Sequence, residues 1–265
     1  MARSALLNVM VQAAMKAGRS LSRDFGEVQN LQVSMKGPGD YVSQADRKAE
    51  DIIFTELSKA RPGYGFLMEE RGAVAGDDDQ HRWIVDPLDG TTNFLHGIPI
   101  FAVSIALERQ GQLVAGVVYN PAMDELYTAE RGGGAFMNDR RLRVAARTKL
   151  SDAVIGCGVP HLGRPQHGQF LVELRNVMGE VSGIRRLGAA SLDLAYVAAG
   201  RMDGFWEVGL SAWDIAAGML LIREAGGFLS DMDGGQEMLE SGSLVAGNEA
   251  IHRALAKTLK RPIKA

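Results

Sequence analysis

A single cysteine, Cys157, occurs among the 265 residues, so the chain cannot form an internal disulfide bond. Such cysteine-poor compositions are typical of proteins from reducing compartments. No apolar run approaches the ~18 residues of a membrane span. Blocks of like charge are also absent, and the formal net charge is only −3. These absences argue against a disulfide-stapled secreted domain, a membrane-spanning protein and a charged tail that binds nucleic acid.

The residues that are present indicate a globular chain with many tight turns. Hydrophobic residues make up 46% of the sequence, charged residues make up 23%, and there are 32 glycines. The length suits one large domain or two closely packed halves. The stretch RRLRVAARTK at 140–149 is locally basic. Most such runs are solvated surfaces, so nucleic-acid binding there is not the favoured interpretation.

The N-terminal segment MARSALLNVMVQAAMKAGRSL begins with a basic residue and is rich in alanine, as signal peptides are. Lys16 and Arg19 interrupt that pattern. Apolar residues recur instead at the spacing of an amphipathic helix, namely Leu6, Val9, Met10 and Ala13. We therefore predict a helix and a cytoplasmic protein.

Local patterns predict the elements of the first half. A helix over about 45–60 precedes a strand at 64–70. The polar DDDQH at 77–81 is predicted to be a solvated loop, and RWIVD after it a short buried strand. Two apolar strands joined by a Gln-Gly turn fill 100–120, and the next residues continue this meander. The first half should therefore combine helices with an antiparallel sheet.

The pattern changes after about residue 145. Strands are predicted in DAVIGCGV, GFWEVG and SLVAG. Helices are predicted at 168–178, at 188–200, in WDIAAGMLLIREAGG and after Asn248, which can cap the last of them. This alternation predicts a β/α layer. We expect an N-terminal α+β half, 1–145, and a C-terminal α/β half, 146–265, packed as one unit.

Two aspartates lie close together in VDPLDGTTNF, at 85–94. One interpretation is a tight turn, because turns favour Asp, Pro and Gly. The other is a ligand site, because Asp86 and Asp89 follow an apolar strand, whose carboxyl end is where α/β proteins bind ligands. Gly90 and Thr91 can then open a helix whose free N–H groups bind phosphate, with Mg²⁺ bridging phosphate and carboxylates. The pattern alone leaves both interpretations open.

Three further acidic positions also have simple structural explanations. Asp214 and Asp46 each follow a serine by three residues, the spacing of a helix capping box. Glu69 follows a strand and could lie in an exposed loop. Taken together, however, these positions put several carboxylates at the ends of elements beside small residues, which favours a shared site.

Four segments carry a specific resemblance. GDYVSQAD, MEERG, WIVDPLDGTTNFLHGIPIFAVSIAL and WDIAAGMLLIREAGG resemble, in this order, the signature blocks of the inositol monophosphatase family. LDLAYVAAGRMDGFWEVGL is similar to the bacterial branch of that family. The resemblance covers nearly the whole chain and extends to the wider lithium-sensitive, magnesium-dependent phosphatase superfamily.

The resemblance implies a layered α+β and α/β fold, the α-β-α-β-α sandwich of the inositol monophosphatase and fructose-1,6-bisphosphatase type. It implies a phosphoric monoester hydrolase acting on myo-inositol 1-phosphate or a similar polyol phosphate. Two Mg²⁺ ions, with a weaker third, would activate the attacking water. It also implies a cytoplasmic, lithium-sensitive homodimer. This dimer would bind a small phosphate monoester and would not bind a membrane.

Metal ligands can be carried over residue by residue. The resemblance implies that Glu69, Asp86 and the Leu88 carbonyl bind the first Mg²⁺ ion. It implies that Asp86, Asp89 and Asp214 bind the second, with Glu69 assisting the third. Without cations these carboxylates would repel one another by roughly 1–4 kcal/mol per close pair. Metal binding is therefore expected to stabilise the fold.

Catalytic and substrate contacts are implied in the same way. The catalytic residues would be Asp46, Thr91 and Glu69, with the Asp46–Thr91 pair orienting and deprotonating the water. The residues implied to bind phosphate and substrate are Gly90, Thr91, Ala190, Glu207 and Lys36, with Lys36 on a mobile loop over the site. Cys157 has no cationic neighbour in sequence, so we expect a buried small residue and not a nucleophile.

Two alternative functions remain. The same scaffold serves phosphatases for fructose-1,6-bisphosphate, 3′-phosphoadenosine nucleotides or histidinol phosphate, and Glu207 favours a polyhydroxy ring among these. A function of another class is an accessory binding factor in transcription and ribosomal RNA synthesis, which the bacterial branch suggests. Such a factor would use an exposed surface such as 140–149 and not the metal site.

Overall fold

The computed structural model describes residues 3–26, 33–37 and 40–262, with the backbone alone for 33–37 and 40–43. Its helices are α1 (Ala5–Phe25), α2 (Gln44–Ala60), α3 (Thr91–Leu95), α4 (His167–Met178), α5 (Ala190–Ala198), α6 (Ala212–Glu224), α7 (Met238–Ser241) and α8 (Glu249–Leu259). One 3₁₀ turn, Leu150–Asp152, follows the first half of the chain.

The strands form three sheets within the described residues. A two-stranded sheet pairs β1 (Val33–Gly37) with β2 (Asp40–Ser43). The second sheet contains β3 (Tyr64–Met68), β4 (Gly72–Val74), β5 (Asp78–Asp89), β6 (Ala102–Arg109), β7 (Gln112–Asn120), β8 (Glu125–Glu130), β9 (Gly134–Met137) and β10 (Arg140–Arg141). Its strand order is β10-β9-β8-β7-β6-β5-β3-β4.

The third sheet lies in the second half of the chain. It contains β11 (Val154–Cys157), β12 (Gly183–Arg185), β13 (Gly204–Val208), β14 (Phe228–Ser230) and β15 (Ser243–Gly247). The strand order is β12-β11-β13-β15-β14, with β11 parallel to both of its neighbours and β15 antiparallel to both of its own.

Side chains that alternate along the strands separate the core into layers. In β6, Ala102 and Ala106 pack with α5 and α6, whereas Val103 and Ile105 pack with α1 and α2 on the opposite face. The third sheet repeats this division, because Phe205 joins the α5–α6 side and the neighbouring Trp206 faces α4 and α8. The order is thus helices, sheet, helices, sheet, helices, which confirms the predicted layered fold.

Caps explain where several helices begin. The Ser4 hydroxyl accepts a hydrogen bond from the Leu7 N–H at 3.0 Å, and the Asn248 side chain accepts one from the Ile251 N–H at 3.0 Å. The N-terminal amphipathic helix and the Asn248 cap are therefore confirmed. No helix among the described residues has both the length and the apolar character needed to cross a bilayer.

Two predictions about the first half are wrong. Residues 77–81 are not a loop, because β5 already begins at Asp78, and the predicted short strand extends to Asp89. The sheet is also not purely antiparallel, since β3 and β5 run parallel. Polar composition misled the prediction because pairing with β3 and β6, rather than burial of side chains, fixes this part of the backbone. The boundary at residue 145 stays a prediction, and one core cluster contains residues from both sides of it.

The contact between α5 and α6 depends on a missing side chain at Gly218. A Cβ atom built there would lie 2.5 Å from the Leu194 Cβ atom, so the two helices would have to move apart. Such overpacking typically costs about 1–3 kcal/mol.

We therefore expect Gly218→Ala to lower the free energy of unfolding by about 1 kcal/mol, after a partial offset from the better helix propensity of alanine. Urea denaturation followed by circular dichroism measures this change. Gly168→Ala is the matched control, because no atom lies within 4 Å of its added Cβ. The control should be neutral or up to about 1 kcal/mol more stable. Equal stability of the two variants would contradict the proposed contact.

Candidate functional site

A cavity of about 210 Å³ collects most of the predicted site residues. It is formed where β5, β11 and β13 end and where α3, α5 and α6 begin. The predicted residues on its wall are Glu69, Asp89, Gly90, Thr91, Ala190, Glu207 and Asp214. The chain therefore brings together groups that are up to 145 positions apart, from Glu69 to Asp214.

The two aspartates of VDPLDGTTNF lie on an irregular part of β5. Pairing with β6 shifts between Asp86 and Asp89, so the backbone bulges there. The Leu88 N–H donates to Asp86 Oδ1 at 2.9 Å, and the Thr91 hydroxyl donates to the Leu88 carbonyl at 2.9 Å. Asp86 is thus inside the strand rather than after it, and its carboxyl group is buried. Both interpretations of this segment therefore apply: its hydrogen bonds resemble those of a turn, and Asp89 and Gly90 border the cavity.

Gly90 connects this strand to α3 in a way that other residues could not. Its φ of +91° is in the left-handed region, which favours glycine. A Cβ atom there would also lie 2.8 Å from the Ile100 carbonyl oxygen and 3.2 Å from the Ala189 Cβ. Glycine therefore allows the strand end, the Ile100 backbone and the start of α5 to approach one another.

The carboxylate of Asp89 is held by the first turn of α5. Its Oδ2 atom accepts hydrogen bonds from the Ser191 N–H at 2.7 Å and from the Ser191 hydroxyl at 2.5 Å. The Ala190 N–H also bonds to this carboxyl group and, with Ser191, opposes the rise that burial causes in the Asp89 pKa. The α5 helix has no side-chain cap from its own N-cap residue, Ala189. Asp89 supplies that cap from 102 positions away in sequence.

Asp214 occupies the first turn of α6 and takes part in the predicted capping box with Ser211. The Ser211 N–H donates to Asp214 Oδ2 at 2.7 Å. Asp86 lies within hydrogen-bonding reach of both Asp214 and Glu69. The capping explanation for Asp214 is therefore correct, and it places the carboxyl group at the acidic cluster.

Burial and mutual repulsion raise the pKa values of this cluster. Burial first, and then the charges of Asp214 and its acidic neighbours, raise the pKa of Glu69 to about 8. Burial and the charge of Asp89 raise the pKa of Asp214 to about 7. The pKa of Asp86 lies well above its usual range for the same two reasons. These carboxyl groups therefore bind protons more readily than isolated carboxyl groups in water do.

The donor set suits a hard cation. Among the described residues, no three acidic, histidine or cysteine side chains already stand in the arrangement of a bound metal ion. Asp86 is instead close enough to share a hydrogen bond with Glu69 and another with Asp214. A cation would replace these shared protons, and oxygen atoms from carboxylates and a carbonyl are the ligands that Mg²⁺ prefers. The residues present therefore fit Mg²⁺.

The other predicted residues are distributed around this cluster. Asp46 is buried in α2, and its charge contributes to the raised pKa of Asp86. Burial, then the charges of Asp214 and Asp89, raise the pKa of Glu207 to about 8. Lys36 belongs to β1 and not to a loop in the described backbone, while its side chain lies outside the described residues. Its contact with substrate stays a prediction.

Several wall residues were not predicted from the sequence. Asp193 comes from the first turn of α5, and Arg164 and Arg186 also border the cavity. Ser191, the donor to Asp89, was not predicted either. An aspartate within the apolar, small-residue segment SLDLAYVA was the one available signal. Cys157 also borders the cavity, but burial raises the pKa of its thiol to about 12, so the thiol stays protonated at neutral pH.

The chain is similar to known proteins over nearly its whole length. The model of the Inositol monophosphatase family matches residues 2–264. The inositol-1-monophosphatase of Mesorhizobium japonicum is 86% identical over 265 residues, which is 100% of both chains. The Nus factor SuhB of Pseudomonas aeruginosa is 47% identical over 259 residues, 96% of each chain. The crystal structure of the extragenic suppressor protein suhB from Bartonella henselae has a TM-score of 0.96 and 70% identity, covering 98% of this chain and 100% of that chain. This chain belongs to the inositol monophosphatase family.

Proposed function

We propose that this phosphatase hydrolyses myo-inositol 1-phosphate or a similar polyol phosphate with Mg²⁺ as its cofactor. The observation that carries the proposal is the single cavity in which the acidic cluster meets the Gly90–Thr91 backbone at the start of α3. The name of the 86% identical relative, inositol-1-monophosphatase, supports the same substrate. The resemblance further supports a cytoplasmic, lithium-sensitive homodimer. Each chain of this dimer would consist of two halves divided near residue 145.

Five residues would hold the metal ions. Glu69, Asp86 and the Leu88 carbonyl would bind the first, and Asp86, Asp89 and Asp214 the second, with Glu69 assisting a third. The Leu88 carbonyl accepts one hydrogen bond from Thr91 and keeps a second lone pair for an ion. When bound, Mg²⁺ would supply a lower pKa for a coordinated water and a positive charge for the leaving oxygen.

The phosphate and the attacking water would be positioned by the start of α3. The N–H groups of Gly90 and Thr91 would donate to the phosphate oxygens. The Thr91 hydroxyl donates its own proton to the Leu88 carbonyl, which leaves its oxygen available to accept a hydrogen bond from water. The buried Asp46 would then take up the proton that the water loses.

The substrate hydroxyl groups would lie toward the second half of the chain. Glu207 is on the cavity wall with Ala190, whose N–H already bonds to Asp89. A substrate hydroxyl near Ala190 would therefore share that donor with Asp89. Lys36 would approach from the β1–β2 hairpin.

A second candidate is an accessory role in transcription. The observation that favours it is the name Nus factor SuhB, carried by a relative that is 47% identical. Such a role would use a protein surface and not the metal site. Expression of the Asp89→Asn variant in a strain that lacks the gene decides between the two: restored growth supports the accessory role, and failure supports the phosphatase.

A substrate screen tests the main proposal. We expect phosphate release from myo-inositol 1-phosphate in Mg²⁺ to exceed release from fructose-1,6-bisphosphate, a 3′-phosphoadenosine nucleotide and histidinol phosphate. The value of kcat/KM for each of the four esters is the measurement. A higher kcat/KM for any of the other three esters would reassign the substrate. Absence of phosphate release from every one of the four esters would reject the proposed phosphatase activity.

Asp89→Asn should abolish turnover and preserve the fold. Supporting residues around metals typically contribute about 10- to 100-fold to activity, so loss of a ligand should reduce kcat by more than about 100-fold. Asparagine keeps one oxygen for the α5 donors, so we expect a stability loss of only about 1 kcal/mol. Asp79→Asn, at an exposed position of β5, is the control that should behave as wild type. A fully active Asp89→Asn enzyme would remove Asp89 from the metal site.

Mg²⁺ should raise the melting temperature more at pH 8.5 than at pH 6. Burial raises the pKa of Glu69 to about 8 from an unfolded value near 4, so its contribution to stability is complete below about pH 4 and is lost as pH rises through about 8. Above that pH the carboxylates repel one another, and bound Mg²⁺ relieves this repulsion. Thermal melts with MgCl₂, against NaCl of equal ionic strength, measure the difference. Melting temperatures that do not respond to Mg²⁺ at pH 8.5 would contradict the cluster as a cation site.

A further inference from the structure

Two carboxyl groups on the cavity wall have no hydrogen-bond partner among the described residues. Asp193 is only 2% exposed and borders the cavity without a hydrogen bond to the described residues; its Oδ1 atom is enclosed beside Gly156, so its Oδ2 atom is the one available to the cavity. Glu207 is partly buried, borders the same cavity and likewise makes no hydrogen bond in the described part of the chain. A buried carboxyl group without a donor is costly, so a donor from inside the cavity would stabilise both.

Two glycines make room for these carboxyl groups. Gly156 and Gly158 are two positions apart at the end of β11, and such residues face the same side of a strand. A Cβ atom on Gly158 would lie 1.8 Å from the Glu207 carboxyl carbon. A Cβ atom on Gly156 would lie 3.1 Å from Asp193 Oδ1. The carboxyl groups of Asp193 and Glu207 therefore occupy neighbouring spaces that the missing side chains leave open.

The electrostatic effects agree that the two groups are neighbours. After burial, the charge of Glu207 is the largest influence that raises the pKa of Asp193. Both carboxyl groups also raise the pKa of Cys157, which lies between the two glycines. Arg186 lies near enough that its positive charge lowers the pKa of both carboxyl groups and so opposes the effect of burial.

A purely structural explanation for Asp193 is weak. Acidic residues in the first turn of a helix are stabilising when they interact with its free N–H groups. The first turn of α5, however, already bonds to Asp89, and Asp193 accepts no hydrogen bond from it. Capping therefore does not account for a buried, unpaired aspartate at this position.

We propose that Asp193 and Glu207 together accept hydrogen bonds from two adjacent hydroxyl groups of the substrate, which makes Asp193 a specificity-determining residue for polyol phosphates. The inference rests on the proposed phosphatase function. Carboxyl oxygen atoms accept hydrogen bonds from hydroxyl donors whether or not the group is ionised. A site built in this way rejects an analogue without hydroxyl groups, because the buried acceptors of the site are left unpaired when that analogue binds.

The test compares two esters that share a six-membered ring. myo-Inositol 1-phosphate carries vicinal hydroxyl groups, and cyclohexyl phosphate carries none. We expect wild type to prefer the inositol ester in kcat/KM by on the order of 100-fold or more. Asp193→Asn should reduce this preference about tenfold, mainly through a higher KM for the inositol ester, because the amide offers one acceptor oxygen instead of two and loss of one hydrogen bond changes affinity by roughly that factor.

Asp203→Asn is the matched control. Asp203 is also 2% exposed, but it pairs with Arg147 and the Val154 N–H and does not border the cavity. Its substitution should leave the preference at the wild-type value. A similar reduction in both variants would mean general destabilisation and would overturn the assignment of Asp193.

Two other outcomes would also overturn it. One is an Asp193→Asn enzyme with the wild-type preference. The other is a wild-type enzyme with equal kcat/KM values for cyclohexyl phosphate and the inositol ester. This result needs no variant, so it would overturn the assignment even if Asp193→Asn does not fold. A wild type that hydrolyses neither ester in Mg²⁺ would reject the phosphatase proposal itself, and this inference with it.

Discussion

The hydrogen bonds between Asp89 and the first turn of α5 join the two parts of the site. Asp89 ends β5, which also carries Asp86, whereas α5 contributes Ala190 and Asp193 to the opposite wall. A carboxylate that accepts several N–H and hydroxyl donors keeps its negative charge more readily than its buried neighbours do. The same contact fixes the orientation of Asp89, stabilises the start of α5 and closes the cavity between them.

This arrangement removes the conflict between a structural and a functional explanation of each acidic residue. Asp214 takes part in a capping box at α6, Asp89 caps α5, and Asp86 accepts a backbone N–H within its own bulge. Each bond uses one oxygen and holds the carboxyl group in place, while the other oxygen can turn toward the cluster. Because buried carboxylates are costly, such anchors are what allows several of them to be concentrated at one point.

Most of the fold could be predicted from local patterns, but the connections between distant segments could not. Helical periodicity located α1, and the Gln-Gly turn located the β6–β7 hairpin, because both signals lie within a few neighbouring residues. The length of β5 depends on pairing with β3 and β6, which polar residues such as Asp78 do not reveal. The bonds from Ser191 to Asp89 span 102 positions, so only the folded chain, or a resemblance to a folded relative, brings them together.

The two halves of the chain constrain different parts of the chemistry. The segment from Asp86 to Thr91 is fixed by a bulge, a left-handed glycine and backbone hydrogen bonds, so a side chain at Gly90 would disturb the shape that would bind phosphate. The wall formed by Asp193 and Glu207 depends instead on side-chain size at Gly156 and Gly158 and on which acceptors face the cavity. Under the proposed function, changes of that kind would alter specificity without moving the acidic cluster. Differences in substrate among proteins of this fold should therefore arise mainly in the wall from the second half, while the phosphate chemistry remains common to them.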